Sequence, residues 1–168
     1  MSAVLKPKET VPAFGQALTV DFTQNEFFPG WAAKQLKIER SYFGECSTIA
    51  VWRGKELCAV AVYSACNGIN CEFTLAASTF SWLRRPILKI MAAYPFQQLG
   101  CRRMTLLVKA QNARVQNLAR RLHFVREGCL REFFPDGDDC HVYGLSRKEY
   151  FETVTLNAIP KKAVRKRN

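Results

Sequence analysis

Apolar and polar positions change period several times along the chain, and each change predicts an element. Residues 17–22 (ALTVDF) alternate, which predicts a short strand. Pro29-Gly30 then punctuates, and from 31 to 42 Ala32 and Leu36, with Phe43 flanking, recur at helical spacing between Lys34, Lys37, Glu39 and Arg40. Residues 47–52 (STIAVW), 57–64 (LCAVAVYS) and 70–77 (NCEFTLAA) read as three strands of a meander, with turns at 53–55 and at Asn67-Gly68. Residues 57–63 are apolar throughout, as a central strand buried on both faces requires.

The period then lengthens. Over 82–99 Leu83, Ile87, Ile90, Met91 and Tyr94 predict a helix, with Pro86 in its first turn. Pro95 should kink that helix or end its regular part, because it lacks a backbone donor, and Gly100 should close it. A strand follows at 104–108 (MTLLV), then a short helix capped by Asn112 with Val115, Leu118, Ala119 and Leu122 on one face. Residues 125–133 and 140–145, joined by a turn at Asp136-Gly137, predict a closing hairpin. The order β, α, three β, α, β, α, two β predicts an α/β domain, antiparallel in its first half and parallel in the middle. It occupies residues 17–152, between an irregular lead-in at 1–16, marked by Pro7, Pro12 and Gly15, and a flexible basic tail at 153–168.

Composition adds a bias of charge. The chain has 168 residues, 48% hydrophobic and 23% charged, which suits one compact domain. Twenty-five Lys and Arg against 14 Asp and Glu leave +11, so an anionic partner is expected. Between Glu72 and Glu127 there is no acid, while Arg84, Arg85, Lys89, Arg102, Arg103, Lys109, Arg114, Arg120, Arg121 and Arg126 all fall there. A solvated face is the alternative explanation of such a block. Seven Cys without a C-x-x-C pair argue against a disulfide framework or a zinc ribbon. With neither a signal-like start nor a membrane-length apolar run, the expectation is a reduced, cytoplasmic protein without membrane contact.

Residues 95–150 carry a family resemblance. Phe96 to Gly100 form an aromatic, two spacers and Leu-Gly; Leu122-His123-Phe124 stands where Leu-Gly-Phe is usual; Glu127-Gly128-Cys129-Leu130-Arg131 follows; and Asp136-Gly137-Asp138, Val142-Tyr143-Gly144-Leu145 and Arg147-Lys148-Glu149 close the run. In that order and spacing the stretch resembles the GNAT superfamily of N-acetyltransferases, nearest to the ribosomal-protein N-acetyltransferase branch and to GNAT-like proteins encoded by tailed bacteriophages.

The resemblance implies a mixed sheet of six to seven strands flanked by helices, whose parallel fourth and fifth strands splay around acetyl-CoA. It assigns Leu75, Ala76 and Ala77 to the strand end that grips the pantetheine arm, with a backbone N–H facing the thioester oxygen. The pyrophosphate would rest on the next helix N-terminus. The usual Arg or Gln, Gly, and Gly or Ala of that loop are replaced by Thr79, Trp82 and Arg84. A Trp there should block the backbone unless the loop is rebuilt, so Trp82, Leu83, Arg84 and Arg85 are cofactor-binding candidates, with the two Arg meeting phosphate directly. Glu72 is the candidate base, if its strand register turns it into the cleft. Asn112 could cap its helix and also bond the cofactor arm. The Tyr that often protonates the leaving thiolate is Ala119 here, a gap shared with the ribosomal-protein branch. His123 is better read as a helix-end imidazole than as catalytic. Asp136, Asp138, Asp139 and His141 read as a turn, not a metal site.

The implied activity is acetyl transfer from acetyl-CoA to a primary amine of a protein or small molecule. The alternative is an inactive GNAT-fold binding or virion-associated protein, with nucleic-acid phosphates met by the tail at 160–168. A phage source would place the protein in host cytoplasm or in the virion, and a homodimer is compatible with either reading.

Overall fold

A computed structural model describes residues 8–11 and 17–158 and divides the chain into two compact units, Met1–Leu107 and Val108–Asn168. The first unit carries strands β1 (Lys8–Val11), β2 (Leu18–Asp21), β3 (Cys46–Arg53), β4 (Glu56–Ser64), β5 (Asn70–Ala77) and β6 (Arg103–Lys109), the last running into the second unit. They lie side by side in chain order, antiparallel from β1 to β5, and β5 pairs with β6 in parallel. The mixed sheet and its parallel pair are those expected. The lead-in is not irregular throughout: Lys8–Val11 pairs with β2 from Lys8↔Asp21 to Val11↔Leu18, between the two prolines that suggested a loop. It brings the strands among the described residues to eight.

One face of the sheet packs on helix α1 (Phe27–Leu36), through Phe28, Ala32 and Ala33 against Ala50, Val60, Val62 and Ala76. The expected helix at 31–42 is therefore displaced. Pro29 falls in the first turn, where helical N–H groups lack partners anyway, so Pro29-Gly30 lies inside the helix and does not precede it. Lys37 then ends α1 in the left-handed region at φ 56°, and a 3₁₀ turn, Arg40–Phe43, follows. The opposite face of the sheet meets helix α2 (Arg85–Gln97), where the Tyr63 ring lies 4.9 Å from Tyr94 and 5.4 Å from Phe73. Strand β4 is buried on both faces, as its apolar run requires.

Pro95 stays within α2. A residue at 95 would normally donate to the Met91 carbonyl, and the buried Tyr63 hydroxyl donates to it instead at 2.7 Å. The sheet thus supplies the bond that the proline removes. Gly100, at φ 69°, turns the chain out of the helix and into β6.

The second unit holds helix α3 (Ala113–Arg121), strands β7 (Val125–Leu130) and β8 (Cys140–Ser146) as an antiparallel hairpin, and helix α4 (Arg147–Ala158). Strand β7 stops short of the expected residue 133, and the chain turns at Glu132, φ 51°. Helix α4 was not expected; the tail predicted from 153 begins inside it. Ser146 and Glu149 form a capping box: the Glu149 carboxylate accepts from the Ser146 N–H at 2.8 Å, and Ser146 Oγ accepts from the Glu149 N–H at 3.2 Å. The basic residues 159–168 lie outside the described residues. All seven cysteines are free thiols, and among the described residues no helix is long and apolar enough to cross a membrane.

Candidate active site

Pairing between β5 and β6 runs only from Asn70↔Arg103 to Glu72↔Thr105. Beyond that fork the rest of β5 keeps its β4 partners, through Leu75↔Ala61, Ala76↔Val60 and Ala77↔Ala59. Successive residues of a strand point their N–H and C=O groups to opposite edges. The Ser78 N–H bonds the Cys58 carbonyl of β4, so Ala76 also faces β4, while Leu75 and Ala77 present N–H and C=O groups on the opened side.

Glu72 stands at the fork. Cys46, Ser64, Glu72 and Thr105 are register partners across four strands, so their side chains share the face that α1 covers. The register thus turns Glu72 into a pocket of about 670 Å³, walled by the segment from Ser41 to Ser47, by the end of β4 with Ala65 and Cys66, and by Leu99. The Tyr42 hydroxyl donates to Glu72 Oε1 at 3.2 Å. Beside this row, Arg103 donates to Asn70 Oδ1 and to Thr105 Oγ1, both at 3.3 Å, and Thr105 donates to Asn70 Oδ1 at 2.6 Å. Burial raises the Cys66 thiol above its ordinary value and raises Cys71 much further, so the thiols about the pocket are held neutral.

Past the C-terminal end of β5, Ser78 donates its backbone N–H to the Cys58 carbonyl at 3.0 Å, and the loop tightens where the Leu83 N–H reaches the Phe80 carbonyl at 3.1 Å. Trp82 does not stand over this loop. It is 1% exposed, its ring turned into the protein, so the expected obstruction of the backbone is absent. Its buried indole N–H has no acceptor among the described residues. Arg84 is the N-cap of α2 and makes no side-chain capping bond; the first turn has no acid, and Arg84 and Arg85 are exposed. An uncapped helix start with two exposed guanidinium groups fits the pyrophosphate of a coenzyme A ligand.

The remaining candidates belong to the second unit. Asn112 Oδ1 accepts from the Val115 N–H at 3.1 Å, the helix cap that was expected. Ala119 is buried. His123 has φ 65°, its N–H donates to the Arg120 carbonyl and the Phe124 N–H to the Ala119 carbonyl, both at 3.0 Å. That is a Schellman ending with an exposed His where the motif has Gly, so its position is explained by helix termination. The Asp136 carboxylate pairs with Lys109, which holds it below its ordinary value, and Asp139 Oδ1 accepts from the Glu132 N–H at 2.9 Å. No group of three or more His, Cys, Asp or Glu among the described residues is placed to hold a metal.

Sequence reasoning missed Tyr42, Glu45 and the polar row around Glu72. The pattern over 31–42 predicts one helix that takes in Tyr42, and no local signal places Tyr42 or Glu45 beside Glu72.

No protein-family model and no curated protein matches the chain. Solved structures do. A chimera of the spermidine N-acetyltransferase SpeG from Vibrio cholerae and hSSAT is 19% identical, with TM-score 0.65, over 80% of this chain and 98% of that one. The Vibrio cholerae spermidine/spermine N-acetyltransferase SpeG with manganese ions is 21% identical, with TM-score 0.59, over 66% and 70%. A dodecameric structure of the spermidine N-acetyltransferase from the same organism is also 21% identical, with TM-score 0.59, over 67% and 71%. At these identities the likeness is one of fold: the chain has the GNAT fold.

Proposed function

We propose that the chain is an N-acetyltransferase that moves an acetyl group from acetyl-CoA to a primary amine. The observation that carries this reading is the fork at Glu72, where one opened strand edge leads from a carboxylate in a pocket to an uncapped, Arg-bearing helix start. Acetyl-CoA supplies the acetyl group as a thioester. The N–H groups of Leu75 and Ala77 on the opened side bind the ligand's arm and polarise the carbonyl, and Arg84, Arg85 and the α2 N-terminus hold its phosphates. Glu72, oriented by Tyr42, takes the proton that the amine loses as its nitrogen bonds the carbonyl carbon and the C–S bond breaks. A thiolate with an ordinary pKa of about 8.5 leaves without a strong acid, so Ala119 in place of Tyr is compatible with turnover.

Within the fold, the motifs of 95–150 favour the ribosomal-protein branch and its phage-encoded relatives, with the cytoplasm as the place of action. The rebuilt loop at Thr79, Trp82 and Arg84 favours a second reading, a GNAT-fold module without catalysis. Calorimetric titration with acetyl-CoA separates the two. Binding should weaken about tenfold or more in the Arg84→Ala, Arg85→Ala double variant. Glu72→Gln should lower kcat/KM roughly 100-fold with acetyl-CoA binding retained. Absence of binding at millimolar acetyl-CoA would establish the non-catalytic module instead.

A further inference from the structure

The pocket at the fork is charged against the chain that builds it. The described residues that line it include two carboxylates, Glu45 and Glu72, and no Lys, Arg or His, in a protein whose formal charge is +11. Two cations lie beside it and are engaged elsewhere: Arg103 donates to Asn70 and Thr105, and Arg40 donates to the Gly44 carbonyl and pairs with Glu26. The rest of the polar lining is uncharged, the hydroxyl residues Ser41, Tyr42, Ser47, Tyr63 and Ser64 and the thiols of Cys46 and Cys66. A wall of this kind stabilises positive charge, and an acceptor bearing its own carboxylate would bring that anion to a surface without a positive partner. The volume, about 670 Å³, accommodates a small molecule.

We propose that the acceptor is an aliphatic diamine or longer polyamine, its reacting amine at Glu72 and a second ammonium at Glu45. The assignment rests on the acetyltransferase reading for the reaction, but its binding half can be measured without acetyl-CoA. Glu45 is exposed, so its pairing is modest and weakens with salt.

The test titrates putrescine and butylamine calorimetrically into the full chain and into the Glu45→Gln variant, at low and high salt, and then follows thiol release from acetyl-CoA with putrescine, butylamine and alanine. Putrescine should bind about tenfold more tightly than butylamine at low salt, and Glu45→Gln should reduce that ratio about three- to fivefold. Equal binding of the two amines, a ratio untouched by Glu45→Gln, or alanine used as readily as putrescine would overturn the inference. Glu45-dependent putrescine binding with no thiol release from any amine would uphold this pocket chemistry and overturn the acetyltransferase reading; release to alanine and putrescine alike would do the reverse.

Discussion

The Met91 carbonyl is an acceptor that helix α2 cannot satisfy, because the residue four positions on is Pro95. Tyr63 satisfies it from the sheet, and its fully buried phenol is kept protonated well above the ordinary range. Tyr63→Phe keeps the ring and deletes the donor, so it should cost about 1–3 kcal/mol, the penalty for a buried group left without a partner. A fall in the urea midpoint at unchanged m-value would show it; no change would mean that α2 does not need the bond. His123 is the converse case, a side chain where the backbone asks for none. His123→Gly should stabilise the protein by about 1 kcal/mol, since a non-glycine residue in the left-handed region carries roughly that strain. A rise in Tm would confirm it, whereas a loss would point to a contact of the imidazole that outweighs the strain.

At the scale of elements, local signals located most strands and helices, and the differences have identifiable causes. Pro29 read as a breaker because proline ends helices from the inside, yet in the first turn it is harmless, and α1 begins at Phe27. Helix α4 carried its start signal in plain view, Ser146 three residues before Glu149, but its helical period is weak and the basic residues beyond it drew the reading towards a tail. Ser146→Ala removes the hydroxyl half of that box and should cost about 1 kcal/mol. The expected signature is faster hydrogen exchange confined to the first turns of α4; protection that stays as in the parent would rule the box out as the helix's anchor.

Across the whole molecule the thiols set the response to alkali. Burial raises Cys46, Cys58, Cys66 and Cys71 above the ordinary 9.0. Unfolded thiols ionise near that value while the folded ones keep their protons, so above it the unfolded state binds fewer protons and stability falls as pH rises. Below the ordinary value the contribution is fully present. Tyr63, Tyr94 and Tyr150 extend the trend to higher pH, since burial raises them too. Denaturation midpoints in reductant should therefore decline steadily once the pH passes 9.0, and a flat profile would refute the burial of these thiols. Charge acts differently at this scale: Arg84, Arg85, Lys89 and Arg102 of the acid-free block are all exposed, so the net +11 describes a surface while the pocket of the first unit is acidic.

By itself the amino-acid order determined the alternating and helical elements, the caps and turns at Asn112, Gly100 and Asp136-Gly137, and the position of Glu72 on the fourth strand of the expected fold. Those signals are local, written in periods of two and 3.6 residues and in the conformational limits of single residue types. Only the tertiary structure decided which way Glu72 faces, that Tyr42 and Glu45 join it, that Trp82 turns inward, and that Pro95 is tolerated. Each of these depends on strand register or on a partner tens of residues away, and a one-residue slip in pairing would reverse the first without changing any local pattern.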